Sequence, residues 1–198
     1  PSIMPTQLKK WILSSLIALF SIVNIYAQSP GGVPANLKLW LKADAGIEKA
    51  TGVPAADGDA ITTWLDQATG ANYTAVAGPT YQDNLLNFNP GVEILSGGFN
   101  APASAALSTN WSVFFVAKKL PSDFNGRLFD GHTSNYLWSY HGNNWKAIYM
   151  NGNPSDWTQA TSTGVTDLHI GGFIRDNGTG IIEERADGSS LKTWAGTN

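Results

Sequence analysis

The hydrophobic pattern of this chain changes character near residue 28. Before that point, Lys9 and Lys10 precede an uncharged apolar run from Trp11 to Val23, which leads through Ile25-Tyr26-Ala27 to Gln28. A short basic region, an apolar segment and a small exit residue predict a secretory signal peptide over residues 1–27. The run is shorter than the roughly 20 apolar residues that a membrane helix needs. The segment therefore reads as an address, and the mature chain is expected to be secreted or held at a cell surface, with no membrane span.

After residue 28 the apolar positions recur with period two. Residues 28–35 form a short turn-rich linker containing Pro30-Gly31-Gly32. Leu37, Leu39 and Leu41 alternate with Lys38, Trp40 and Lys42, which predicts a first strand near a sheet edge. Gly52 to Gly58 reads as a loop, Ala60 to Leu65 as a second strand, and Asp66 to Asn72 as a polar loop. Asn87-Phe88-Asn89-Pro90 reads as a turn entering a strand that ends at Leu95. Trp111 to Ala117 is almost wholly apolar, β-branched or aromatic and predicts a buried strand. Further strands are expected at 127–129, 136–140, 145–150, 168–174 and 180–186. Asp187-Gly188 then turns the chain into a return strand over 191–194. No apolar stripe of helical period persists beyond two turns. Many short strands separated by turn residues predict an all-β fold, an antiparallel sandwich or jelly roll.

Composition narrows the class. Removing Lys9 and Lys10 with the signal leaves ten basic residues against fifteen acidic ones. That balance disfavours nucleic acid or an anionic membrane as partner, since both are bound through clustered Lys and Arg. The chain has no cysteine, which excludes thiol catalysis, Cys-ligated zinc and stabilisation by disulfides. Core packing must hold the fold, and about 170 mature residues are enough for one domain. Eight tryptophans and 21 glycines with only 14% charged residues suit an extracellular β-protein.

The blocks Asn36-Leu37-Lys38-Leu39-Trp40-Leu41-Lys42-Ala43-Asp44-Ala45-Gly46, Trp64-Leu65-Asp66-Gln67, Pro79-Thr80-Tyr81 and Asn87-Phe88-Asn89-Pro90 occur in that order. Trp111 to Lys118, Gly126 to Gly131 and Arg185-Ala186-Asp187-Gly188 continue the series. The arrangement resembles concanavalin A-like lectin/glucanase domains of the laminin-G-like type, as found in secreted surface proteins of Bacteroidetes-type bacteria. The likeness assigns residues 36–198 to such a domain. It implies a jelly-roll β-sandwich and an extracellular role in binding or adhesion. Two blocks depart from the family pattern, at Ala68-Thr69-Gly70-Ala71-Asn72 and at Ile94-Leu95-Ser96-Gly97, and both lose polar loop groups. The family's closing strands have no counterpart before Asn198, so the domain is expected to be truncated at its C-terminus, with Pro1 to Ile3 preceding a start at Met4.

Candidate chemistry is mostly non-catalytic. Glycoside hydrolysis needs two carboxylates flanking one bond. Glu183 and Glu184 are adjacent on a predicted strand and so face opposite ways, while Asp57 and Asp59 sit in a glycine-rich loop. The three histidines, His132, His141 and His169, lack zinc-helix spacing, and no serine lies in a nucleophile elbow. Calcium takes oxygen ligands, and Asp66, Asp130 and Asp176 each lie at a strand end beside glycine or polar loop residues. Carboxylates at such places equally well cap turns.

The densest constellation is aromatic. If 136–140 and 145–150 pair across His141-Gly142-Asn143-Asn144, Tyr140 faces Trp145, Trp138 faces Ala147 and Tyr136 faces Tyr149, all on one side of the ladder. Such a face is either a platform on which sugar rings stack or the inner face of a sandwich. Trp157, in the loop Asn153 to Thr158, is a separate candidate contact. These residues predict a non-catalytic module that binds a glycan or an extracellular protein. The alternative is a structural or protein-interaction spacer, with a glycoside hydrolase as the remaining reading.

Overall fold

The computed structural model describes residues 29–33, 35–103, 110–119, 128–130, 137–141, 144–149 and 168–195. The predicted signal peptide lies outside them, as do Tyr136 and Trp157. Among the described residues the regular structure is antiparallel β, apart from one 3-10 turn at Pro30–Gly32. The chain divides into two compact units, Pro1–Ala105 and Ala106–Asn198.

In the first unit the strands are β1 (Ile47–Ala50), β2 (Val53–Pro54), β3 (Thr63–Leu65), β4 (Asn72–Val76), β5 (Pro79–Leu86), β6 (Asn89–Ile94) and β7 (Gly98–Asn100). Five of them form a sheet in the order β2-β1-β3-β4-β7, and β5 and β6 form a separate hairpin. Ile47, Ile61 and Tyr73 are buried, and Trp64 meets Phe99 edge to face at 5.5 Å. Five of these strands, β1, β2, β4, β5 and β7, were not expected. Ile47–Ala50 lacks a β-branched run, and its partner Val53–Pro54 lies within the predicted 52–58 loop. Pro54 is tolerated there because β2 is an edge strand.

The predicted strand over 37–43 does not form; only Lys42 makes an isolated bridge, to Ala45. Its alternating leucines belong to no ladder. The reason is where the backbone bonds go. Trp40 N–H donates to Asp66 Oδ1 at 2.6 Å, and Gln67 N–H donates to the Trp40 carbonyl at 2.9 Å. A loop occupies the place a neighbouring strand would take. The strand predicted over 60–65 shortens to Thr63–Leu65 for a related reason: Ala60 bridges Thr80 instead, and Ile61 N–H bonds the Pro79 carbonyl.

The second unit holds β8 (Trp111–Lys118), β9 (Phe129–Asp130), β10 (Leu137–His141), β11 (Asn144–Tyr149), β12 (Leu168–Asp176), β13 (Ile181–Ala186) and β14 (Ser189–Ala195). One sheet runs β14-β13-β12-β8 and the other β11-β10-β9. β8 and β12 pair without interruption from Leu168↔Lys118 to Arg175↔Trp111. Phe173 and Ile182, 2% and 1% exposed, are the centre of this core, with Trp111, Val113, Phe115 and Phe129 packed around them. Phe115 lies 5.8 Å from the Phe173 ring and 6.0 Å from that of Phe129. Glycine makes that placement feasible. A Cβ at Gly171 would lie 2.1 Å from the Phe115 ring, so the ring crosses the neighbouring strand only because 171 has no side chain.

β8 is not the fully buried strand its composition predicts. Its residues alternate between half-buried and exposed, with Phe114 66% and Val116 59% exposed. One face of an antiparallel sheet packs and the other meets solvent. Between β13 and β14, Asp187 and Gly188 turn with φ of 48° and 81°, the positive pair that the Asp-Gly dipeptide predicts.

Candidate functional site

The aromatic hairpin forms. β10 pairs with β11, and β9 lies on the other side of β10. Its register differs from the expected one by a single residue. Trp138 pairs with Ile148 rather than Ala147, Ser139 pairs with Ala147, and Leu137 pairs with Tyr149. An irregularity between Ser139 and His141 then restores the pairing His141↔Asn144 at the turn. Paired residues share a face, and a one-residue slip exchanges the faces. Trp138 and Tyr140 therefore hold one set of alternating positions in the ladder, while Trp145 and Tyr149 hold the other. The expected pairings of Trp138 with Ala147 and of Tyr136 with Tyr149 are corrected to Trp138 with Ile148 and Leu137 with Tyr149. The cause is a bulge, which adds a residue to one strand and leaves no mark in the composition.

Of the three aspartates proposed for calcium, Asp130 lies in β9 opposite Leu137. Asp66 is 1% exposed. Its carboxylate accepts from Trp40 N–H at 2.6 Å, from Ala68 N–H at 2.9 Å and from the Thr69 hydroxyl. It fastens residues 37–41 to the loop after β3, and its charge, second to burial itself, raises the pKa of the Tyr73 phenol. Asp176 closes its own turn: Oδ1 accepts from Gly178 N–H at 2.9 Å and Oδ2 from the Thr179 hydroxyl at 3.0 Å. These donors hold its pKa below the usual carboxylate value, the Gly178 bond foremost. Both carboxylates thus adopt the turn-capping arrangement. Among the described residues, no three His, Asp or Glu side chains gather into a metal-binding group.

The acidic residues weighed for catalysis are likewise engaged locally. Asp57 Oδ1 accepts from Asp83 N–H at 2.9 Å. Asp59 Oδ2 accepts from Ala56 N–H at 2.9 Å and pairs with Lys49 Nζ at 2.9 Å. Glu183 and Glu184 do face opposite ways. Glu184 is 1% exposed, while Glu183 is half-buried and pairs with Arg185 at 3.0 Å. A hydrogen bond from Ser190, more than the Arg185 charge, lowers the Glu183 pKa. His169 Nδ1 lies 2.7 Å from Asp187 Oδ2, while Asp187 Oδ1 accepts from Ile170 N–H, so this pair ties the β13–β14 turn to the start of β12.

Two exposed features escaped the sequence reading. Phe114 and Val116 on β8 share their outer face with Ile170, the cross-strand partner of Val116, which is also exposed. Phe88 sits at the tip of the β5–β6 hairpin and is 93% exposed. Alternation along β8 predicts the first once the sheet is known to have one open face. The second follows from a two-residue turn without glycine, which composition does not reveal. Among the described residues no helix is long and apolar enough to cross a membrane. Compared with models of protein families, with curated proteins and with solved structures, this chain has no match.

Proposed function

We propose that this chain is a non-catalytic extracellular binding module whose ligand is carbohydrate, met in solution or at a cell surface. The observation that carries this reading is the β10–β11 hairpin. It brings Trp138, Tyr140, Trp145 and Tyr149 into one two-stranded ladder, beside His141 and Asn144. Aromatic rings offer flat apolar faces to sugar C–H groups, and imidazole and amide groups exchange hydrogen bonds with hydroxyls. An all-β antiparallel chain is what the jelly roll of concanavalin A-like domains requires. The local engagement of Asp57, Asp59 and Glu183 supports binding over hydrolysis, because a glycosidase must aim two carboxylates at one bond.

The test is intrinsic tryptophan fluorescence of the chain from Gln28 onward, titrated with polysaccharides with and without calcium. A saturable shift that disappears in Trp138→Ala, with the far-UV circular dichroism spectrum unchanged, is the expected result. Loss of the shift on chelation would add calcium to the site, with Asp130 as the first ligand to replace. A flat titration of the folded protein would overturn the carbohydrate reading. It would favour the protein-interaction or spacer reading, which the exposed apolar face of Phe114, Val116 and Ile170 supports.

A further inference from the structure

The β5–β6 hairpin turns through Asn87 and Phe88, flanked by the pair Leu86↔Asn89. Both central residues have positive φ, 46° and 65°. A two-residue hairpin loop with both φ positive favours Asn followed by Gly, because glycine alone enters the left-handed region freely. Asn87 suits its place, but Phe88 does not. A bulky side chain there is a backbone outlier. The ring is also 93% exposed, so it gains almost nothing from packing. Residue 88 thus opposes folding twice, in conformation and in solvation, at a site where glycine would relieve both. Residues held in this way concentrate where a ligand is engaged.

The surroundings select the ligand's chemistry. Residues 79–94 carry Asp83 and Glu93 and no Lys, Arg or His, so phosphates and acidic surfaces are not matched. The ring is bracketed by two exposed asparagines, Asn87 and Asn89. Asn89 Nδ2 donates to the Asn87 carbonyl at 3.1 Å, which steadies the tip. An apolar protein pocket or a lipid interior would take the ring only by dehydrating these amides. A sugar takes both, with its C–H face against the ring and its hydroxyls on the amides.

We infer that Asn87-Phe88-Asn89 is a carbohydrate contact site, in which the Phe88 ring stacks on a pyranose and the flanking amides hydrogen-bond its hydroxyls. The inference rests on the carbohydrate reading above and adds a second contact, in the first unit, to the β10–β11 hairpin.

The test combines thermal unfolding with calorimetric titration of the mature chain. The probes are hexasaccharides of β-1,4-glucose, β-1,4-N-acetylglucosamine, β-1,3-glucose and β-1,4-xylose. Phe88→Gly is expected to raise the unfolding temperature by about 2–4 °C as strain is released. It is also expected to weaken binding of the recognised hexasaccharide about tenfold. Phe88→Trp should retain binding. Phe88→Asn, which also tolerates positive φ, should repeat the glycine result. Greater stability with unchanged sugar affinity would overturn this site and leave the carbohydrate reading standing. If no hexasaccharide binds the unaltered chain while Trp138-dependent polysaccharide binding persists, the tip site falls alone; if neither binds, both readings fall. Phe88-dependent sedimentation with phosphatidylcholine vesicles, without a sugar effect, would assign the ring to a membrane and overturn the proposal.

Discussion

The two units hold their sheets together differently. In the second unit β8 and β12 run side by side for eight residue pairs, and β12 pairs with β13 for six more. In the five-stranded sheet of the first unit, no ladder exceeds three pairs. The long ladders present a continuous apolar face, and Phe173, Ile182 and Phe115 fill it. The short ones leave loops to be secured individually, and polar side chains secure them: Asp66 to Trp40, Asp59 to Ala56 and Lys49, and the Trp64 indole to the Lys42 carbonyl. Ladder length decides which kind of interaction a region depends on. Backbone groups without a strand partner must find a side chain or water.

The comparison predicts where substitutions will cost most. Phe173→Ala removes the ring at the centre of the second unit and is expected to cost about 3–5 kcal/mol, measured by urea unfolding. A loss under about 1 kcal/mol would mean that apolar packing does not hold that sheet. Gly171→Ala approaches the same core from two residues before Phe173 on β12. The added methyl lands 2.1 Å from the Phe115 ring and must push it off Phe173 and Phe129. The expected cost is about 1–3 kcal/mol, and the double variant Gly171→Ala with Phe115→Leu should recover part of it.

Asp66→Ala tests the first unit. It leaves the Trp40 and Ala68 amides and the Thr69 hydroxyl without their acceptor. The expected cost is about 1–2 kcal/mol. It should appear locally, as faster hydrogen exchange at the Trp40 amide. Unchanged exchange there would show that residues 37–41 are held by something other than this carboxylate.

The same contrast explains what could be read in advance. β8, β12 and the β13–β14 hairpin were legible because each is a long run rich in apolar, β-branched or aromatic residues or ends in Asp-Gly, signals carried by neighbouring residues. The segment 37–41 carries as regular an alternation as any strand. Its fate was decided by Asp66, 26 residues away, through one side-chain acceptor. Ile47–Ala50 was invisible because four residues with Glu48 and Lys49 at their centre announce no strand. The presence of the β10–β11 hairpin was legible from its paired aromatic runs. Its register was not, since the bulge after Ser139 depends on backbone geometry. Phe88 sat in a predicted turn, but its positive φ and exposure emerge only once the loop length is fixed by the Leu86↔Asn89 pair.

The smallest effect expected comes from Asp59, a surface version of the Asp66 device. The Ala56 N–H bond, followed by Lys49, holds its carboxyl below the ordinary value of 3.8. A carboxyl with a lowered folded pKa binds fewer protons in the native state than in the unfolded chain. Its contribution is therefore complete above 3.8 and is lost as pH falls through the folded value. Asp59→Asn removes the titration. The variant should lose stability less steeply than the parent between about pH 5 and pH 1, with the two curves converging at the acid end. Because the Lys49 Nζ to Asp59 contact of 2.9 Å is open to solvent, raising the salt should shrink the difference between them. Parallel curves at every pH would mean that the native and unfolded chains titrate Asp59 alike, and that the loop before β3 is fixed by backbone bonds such as Gly58 N–H to the Tyr81 carbonyl.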